Sequence, residues 1–158
     1  MSEEYDRYRI AQARAWLQRV RRLAAYERAL RDIADQQLEM ADGLKGIDYA
    51  ADRVTVASDG DAIPRAVEAH MEAVASLLAI ADEAARRIRE AAEAIDMLDD
   101  PTEAAALARY YLKGDRWEQV CVDMCYSWQG IMAIQRRALL HVYEFMPARE
   151  RDPMERAL

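Results

Sequence analysis

The residues best suited to bind another molecule lie between positions 113 and 137. Most of them carry a positive charge or hydrogen-bonding groups, and two are large and apolar: Lys113, Arg116, Ser127, Trp128, Gln129, Met132, Gln135, Arg136 and Arg137. Lysine and arginine neutralise phosphates, a glutamine amide pairs with adenine, and a guanidinium pairs with guanine. We therefore predict that these side chains form a surface for double-stranded DNA, provided that the fold places them on adjoining helices.

The spacing of the residues from 114 to 142 predicts two helices joined by a tight turn. Gly114 can end a preceding helix, Asp115 can cap the next one, and Ser127 can cap the helix after the turn. The apolar positions of the two helices are Trp117, Val120, Cys121, Met124, Ile131, Ile134, Ala138, Leu139 and Val142. A short helix, a turn of about three residues and a longer helix make a helix-turn-helix.

The second helix of such a motif enters the major groove with its N-terminal residues toward the base edges. Four residues are predicted to face the groove: Trp128, Gln129, Met132 and Gln135. Arg136 is expected to reach a guanine or a phosphate. The predicted phosphate contacts are Lys113, Arg116, Ser127 and Arg137. Because Trp128 and Met132 make this face unusually apolar, the same face also suits contact with a protein.

This segment resembles the C-terminal helix-turn-helix of bacterial sigma factors, and it is more similar to the ArpU-type transcriptional regulators of phages and prophages. The resemblance rests on a core of Trp117, Val120, Cys121 and Met124, on the Tyr126-Ser127 turn, on the Arg137-Ala138-Leu139 ending and on Arg109-Tyr110 upstream. It covers about a fifth of the chain. Gly130, Met132 and Ala133 depart from the pattern. The resemblance implies DNA binding and regulation of transcription.

Two long helices are predicted upstream of this segment. The first spans about Tyr8–Leu44 and ends near Gly43 or Gly46. Its seam toward a partner helix is predicted to contain Leu23, Tyr26, Leu30, Ile33, Met40 and Leu44. The second, about Ile63–Leu98, has two seven-residue ladders: Val67, Val74, Ala81, Ile88 and Ile95, and His70, Leu77, Ala84, Ala91 and Leu98. A connector of roughly 17 residues is long enough for an antiparallel return.

The predicted fold class is therefore all-α. A long, coiled-coil-like antiparallel helical hairpin spans residues 1–100, a three-helix module with the helix-turn-helix spans 101–146, and a flexible tail spans 147–158. Five glycines and four prolines in 158 residues leave little of the turn chemistry that a β-rich fold needs.

Charge is unevenly distributed along the chain. Residues 46–108 carry five basic and fourteen acidic side chains, a net charge of −9, whereas residues 109–146 carry a net charge of +1. Nucleic-acid binders usually show a stronger basic bias, so the C-terminal charge counts against DNA binding. Because phosphates repel acidic surfaces, we expect the acidic middle segment to point away from any duplex.

The sequence offers no combination of residues that is typical of catalysis. It has no Gly-rich phosphate loop and no H-E-x-x-H pair, and His70 and His141 lack a partner motif, so we predict no enzyme, no metal site and no cofactor. Cys121 and Cys125 share a helix face and are expected to be free thiols. No apolar run reaches the roughly 20 residues of a membrane span, and the first residues, MSEEYDRYR, contain no apolar stretch of the signal-peptide type. We therefore expect a cytoplasmic protein without a membrane partner.

The sequence thus favours a prophage-type DNA-binding transcriptional regulator. The hairpin is expected to mediate self-association into a homodimer or higher oligomer, or to contact RNA polymerase. Its uncovered apolar positions are predicted to be Trp16, Met71, Leu78, Ala85 and Ala92. The alternative is a non-catalytic helical adaptor or assembly protein whose helix-turn-helix binds protein.

Overall fold

A computed structural model describes residues 2–51 and 60–152 of the chain. The helices are α1 (Glu3–Ala51), α2 (Ala62–Asp96), α3 (Pro101–Leu107), α4 (Trp117–Met124) and α5 (Trp128–Val142). A π-helical turn, Ala108–Lys113, continues α3, and two 3-10 turns, Tyr143–Phe145 and Ala148–Glu150, follow α5. The described residues contain no strand, which confirms the predicted all-α class.

Helices α1 and α2 form the predicted antiparallel hairpin. Arg31 contacts Asp82 at 3.4 Å, and the Gln37 side chain contacts the ring of His70. Later positions of α1 therefore meet earlier positions of α2, as antiparallel helices require. The predicted end of the first helix near Gly43 is wrong, because α1 continues to Ala51. An interior glycine costs a helix about 1 kcal/mol, which weakens a long helix without ending it.

The chain divides into two compact units, to which both long helices contribute. One unit comprises residues 1–25 and 85–158, and we call it the core unit; the other comprises residues 26–84, and we call it the hairpin unit. The sequence predicted a boundary at residue 100 instead. The boundary differs because the first turns of α1 and the last turns of α2 pack together with the C-terminal helices in one apolar core.

The core unit is centred on large side chains from four regions of the chain. The buried residues of its main apolar cluster are Ile10, Ala13, Trp16, Leu17, Val20, Ala91, Ala94, Ile95, Leu98, Leu107, Tyr111, Ala138, Leu139, Val142, Tyr143 and Met146. The last rungs of both predicted α2 ladders lie in this core, so that part of the ladder prediction is confirmed. The expectation that Trp16 lies on an uncovered face is wrong, since its side chain is buried.

The seam of the hairpin unit is built mainly from alanine. Its buried residues are Leu30, Ala34, Ala41, Val74, Ala81 and Ala84. The seam predicted for α1 is wrong at Tyr26, Ile33 and Met40, which are 50%, 43% and 53% exposed. Alanine at the contact lets two helix axes approach closely, so the α1 face that carries Ala34 and Ala41 packs against α2 in place of the bulkier face.

Part of the predicted flexible tail is ordered. Residues 148–150 form a 3-10 turn, the Arg19 guanidinium pairs with Glu150 at 2.9 Å, and the Tyr8 hydroxyl donates to the carbonyl of Asp152 at 3.0 Å. The prediction of a tail that begins at 147 is therefore wrong up to residue 152. Residues 153–158 lie outside the described part of the chain.

Candidate nucleic-acid interface

Helix α3 and its π-helical extension support the helix-turn-helix. The Asp100 side chain accepts from the backbone N–H of Thr102 at 2.8 Å, and Pro101 occupies the first turn, so the sequence specifies where α3 begins. The extension ends at Gly114, whose φ of 91° is in the left-handed region that glycine adopts at low cost. The wider π turn contains two adjacent tyrosines, Tyr110 and Tyr111.

These tyrosines join α1 to the start of α4. The ring of Tyr110 stacks on Trp117 with centroids 4.2 Å apart, and the Arg21 guanidinium lies 4.0 Å from the centroid of the Tyr110 ring. Arg21 also donates to the carbonyl of Asp115 at 3.0 Å. Cation–π and stacking contacts of this kind hold the N-terminus of α4 in one place. No pattern in the sequence linked Arg21 to this segment.

Helices α4 and α5 form the predicted helix-turn-helix. They pack around a small apolar cluster of Ala106, Val120, Ile131 and Ile134, flanked by Trp117, Cys121 and Met124. Cys125 ends α4 with a φ of 60°, and the Ser127 hydroxyl accepts from the backbone N–H of Gly130 at 3.1 Å. A Cβ at Gly130 would lie 3.2 Å from that hydroxyl oxygen, so a glycine there gives the cap room.

The exposed ridge of α5 carries Gln129, Ala133 and Arg136. All three residues are exposed, and their spacing of four and three places them on one face of a helix. That face is opposite the buried Ile131, Ile134 and Ala138. The ridge thus presents an amide, a methyl group and a guanidinium in succession. The sequence had predicted Gln129 and Arg136 as contacts but not Ala133, although its spacing from them was already visible.

Two of the predicted groove residues lie elsewhere. Gln135 is buried, so its predicted exposure toward the groove is wrong; it follows Ile131 by one turn and therefore shares the buried face. Burial raises the pKa of the neighbouring Tyr111 hydroxyl, and the Gln135 side chain opposes that rise. Met132 is half-buried against the α4–α5 cluster, which corrects its predicted place on the exposed side.

The basic residues near the helix-turn-helix differ in whether an acidic side chain already pairs with them. Lys113 is exposed but lies 3.4 Å from Asp115, whereas Arg116 is exposed at the N-cap position of α4. Arg109 is paired with Asp123 at 3.1 Å, so a phosphate would compete with that carboxylate. In the described part of the module, Arg116 and Arg136 are therefore the cations most available to a polyanion.

A buried carboxylate connects α3 to α5. Glu103 is nearly inaccessible, and its two oxygens face His141 Nδ1 at 2.7 Å and Arg137 Nε at 3.5 Å. Arg137 is more than half exposed, so its guanidinium can reach solvent while it stays in contact with Glu103. The predicted phosphate contact at Arg137 therefore has a structural partner as well. The position of Glu103 within the apolar period of α3 was the only signal for this contact.

An apolar patch surrounds the turn between α4 and α5. Trp128 is 51% exposed and Val122 is 71% exposed, and Tyr126 of the turn is exposed as well. Ser127 lies within this patch as the cap of α5. Exposed aromatic side chains are typical of surfaces that stack on or pack against another molecule. The patch lies at the N-terminus of α5, where the ridge begins with Gln129.

No protein-family model matches the chain, and comparisons with curated proteins and with solved structures find no similar protein. Within residues 2–51 and 60–152, no three His, Cys, Asp or Glu side chains are grouped so that they could hold a metal ion. In the same residues, no helix is long and apolar enough to cross a membrane.

Proposed function

We propose that the chain is a DNA-binding transcriptional regulator of the prophage type, which reads duplex DNA with α5. The observation that carries the proposal is the exposed ridge of Gln129, Ala133 and Arg136 on the second helix of a helix-turn-helix. A helix of this width fits the major groove, and the N-terminal half of the recognition helix contacts base edges.

Each residue of the ridge has a chemical counterpart in the groove. The Gln129 amide can donate to and accept from an adenine, and the Arg136 guanidinium can donate twice to a guanine or bind a phosphate. Ala133 lies between them and has only a methyl group, which suits contact with a thymine methyl and lets the helix approach closely. Arg116, Lys113 and the Ser127 hydroxyl are the proposed backbone contacts.

The experiment is a binding assay of the purified full chain with duplex fragments from its own locus, at about 50 and 200 mM salt. We expect enrichment of a discrete fragment that weakens as salt rises, because phosphate binding releases counterions. Arg136→Ala is expected to weaken that fragment's binding by roughly tenfold or more, the usual range for one base-reading arginine.

Lys45→Ala is the matched control, since it removes one positive charge from an exposed position of the hairpin unit. It is expected to leave fragment selection unchanged. Arg137→Ala is a poor probe because it also leaves the buried Glu103 without one partner. Failure to retain any fragment at 50 mM salt, with helicity intact, would remove DNA as the ligand of α5.

The alternative function is a non-catalytic helical adaptor or assembly protein, and the patch of Val122, Tyr126 and Trp128 favours it. Apolar association does not weaken as steeply with ionic strength as phosphate binding does. A Trp128→Ala variant that keeps DNA selection but loses a protein partner would assign this patch to protein contact. RNA polymerase is the candidate partner for a regulator, through the hairpin unit or through this patch.

A further inference from the structure

We infer that the hairpin unit docks a second copy of this chain through one charge-free face. The face combines the α1 stripe Tyr26, Ile33 and Met40 with the neighbouring α2 stripe Ala66, Ala69, Ala73, Ser76 and Ile80. We call it the outer face. The inference does not depend on DNA binding, since it rests on residues 26–84 alone.

The charges of α1 are segregated around the helix axis. Between residues 26 and 44 the charged residues are Glu27, Arg28, Arg31, Asp32, Asp35, Glu39 and Asp42. At 100° per residue they all fall within a sector of about 140°. Over five turns the opposite side carries no charge, and Tyr26, Ile33 and Met40 recur there every seven residues. A helix face exposed only to solvent is not expected to repeat large apolar residues every seven positions or to lack charged residues.

The α2 stripe lies on the same side of the hairpin as the α1 stripe. The Gln37–His70 contact marks one side of the seam, and the Arg31–Asp82 pair marks the other. On α1, Gln37 lies one turn from both Ile33 and Met40. On α2, His70 lies one turn from Ala66 and Ala73, and these positions are likewise uncharged. The outer face is therefore a two-helix surface on the Gln37–His70 side.

The two stripes differ in size in a way that fits a two-fold partner. The α1 stripe is bulky, whereas the α2 stripe consists of three alanines and a serine, with Ile80 as its one large residue. In an isologous dimer each patch meets itself, so a bulky stripe must find a recess on the same patch. A two-fold axis parallel to the helices would place α1 of each copy on the small residues of the other copy's α2. The result is an antiparallel four-helix bundle with large side chains seated between small ones.

The available area is sufficient for such a dimer. Residues 26–44 extend about 28 Å along the helix, and two helices are about 20 Å wide, so the footprint is about 550 Å² per copy. Two copies would bury on the order of 1,100 Å², which clears the minimum of about 1,000 Å² for a specific interface and lies below the standard size of about 1,600 Å². Among the described residues, the seam inside one hairpin buries only two large apolar side chains, Leu30 and Val74. Five large apolar side chains of this unit are exposed, and four of the five belong to the outer face: Tyr26, Ile33, Met40 and Ile80.

The test is sedimentation equilibrium of the full chain between about 1 and 100 μM. The 18.1 kDa wild-type chain is expected to show the mass of two copies. The double variant Ile33→Glu/Met40→Glu is expected to raise the dimer dissociation constant at least 100-fold with unchanged helicity. Met71→Glu is the matched control, because Met71 is 41% exposed, like Ile33 at 43%, but lies on the Asp82 side of α2. It is expected to remain dimeric.

A charge-pair rescue tests the arrangement of α1 on α2. Ile33→Glu and Ser76→Lys should each weaken the dimer alone, and an equal mixture should recover the mass of two chains, because glutamate and lysine then face each other across the interface. A wild-type chain that stays single at 100 μM overturns the inference and leaves the face to a different protein. So does a dimer that survives the double substitution, or one that Met71→Glu dissociates to the same extent.

Discussion

The core unit and the hairpin unit bury side chains of different size. The fully buried residues of the core unit include Leu17, Tyr111 and Leu139, whereas the interior of the hairpin unit is mainly Ala34, Ala41, Ala81 and Ala84. Apolar burial stabilises roughly in proportion to the area removed from water. The core unit therefore buries large apolar side chains completely, whereas the hairpin unit fully buries only two of those described, Leu30 and Val74, and leaves most of the others half-buried or exposed.

The same contrast applies to polar groups. In the core unit the Glu103 carboxylate is buried and contacts two basic side chains, which fixes α5 against α3. In the hairpin unit the Gln37–His70 contact is only half-buried, at the border of the alanine seam. A rigid scaffold is what a reading helix needs, because base contacts depend on a fixed position. An alanine seam instead leaves the outer face available for association.

The largest expected effect is a cavity in the core unit. Leu139→Ala should lower the free energy of unfolding by about 3 kcal/mol, because Leu139 is fully buried and its removal leaves a void. Chemical denaturation measures the loss. Met71→Ala, at an exposed position of the hairpin unit, should change it by less than about 0.5 kcal/mol. A loss below about 1 kcal/mol at Leu139 would mean that the core unit is loosely packed.

The second effect tests the alanine seam by overpacking. Ala34→Leu should destabilise the hairpin by about 2 kcal/mol, because Ala34 is buried at a close helix contact that has no room for three more carbons. Hydrogen exchange of the α1 amides between residues 30 and 40 reports it locally. Ala75→Leu, the same substitution at an exposed position of α2 outside the outer face, is the control and should leave exchange nearly unchanged. Slower exchange in Ala34→Leu would mean that the leucine fits at this position, and therefore that α1 and α2 do not make a close contact there.

Sequence periodicity predicted the elements better than it predicted their faces. The all-α class, the antiparallel return and the rungs of α2 were predictable because seven-residue spacing is a property of the chain itself. The α1 seam was not, because two stripes run along that helix and the sequence favours the bulkier one. Which stripe packs inside depends on the shape of α2, whose alanines accept the close contact of Ala34 and Ala41.

The candidate site was predictable in outline for a similar reason. Ser127 as a cap, and Gln129 and Arg136 as exposed residues, follow from the position of the turn. Gln135 was misplaced although its spacing of four from Ile131 indicates the buried face of α5. Its neighbour Tyr111 lies about two dozen residues earlier in the chain and comes close only in the folded state. Arg21 and Glu103 contribute through similarly distant contacts. The apolar period of α3 indicates that Glu103 is buried, but no local pattern identifies its partners or those of Arg21.

The third effect concerns one polar contact in each unit. In the core unit Glu103 contacts Arg137 and His141, and in the hairpin unit Gln37 contacts His70. Glu103→Ala should cost about 1.5 kcal/mol, since hydrogen bonds to charged groups contribute roughly 1.5–3 kcal/mol and the exposure of Arg137 and His141 favours the lower end. His70→Ala in the hairpin unit should cost less, about 0.5 to 1 kcal/mol for a half-buried contact between an amide and an imidazole ring. Denaturation of both variants makes the comparison. Equal losses in the free energy of unfolding would mean that burial of the Glu103 carboxylate contributes no additional stability.

The smallest effect is a dependence of stability on alkaline pH. Burial raises the pKa of Tyr111 above its ordinary value near 10, and the Gln135 side chain partly opposes that rise. The folded chain therefore holds this proton more tightly than the unfolded chain does. Its contribution is complete below about pH 10, the unfolded value, and is lost as the pH rises from there through the raised folded value.

Tyr111→Phe removes the ionisable hydroxyl, so its stability should fall less steeply than that of the wild type above about pH 10. Thermal unfolding at several pH values between about 8 and 11 measures the two slopes. Tyr126→Phe, which alters an exposed tyrosine outside the outer face, should keep the slope of the wild type. Parallel curves for Tyr111→Phe and the wild type would mean that the Tyr111 hydroxyl is solvated, and the core unit would then be open beside α5 at the position where Gln135 enters it.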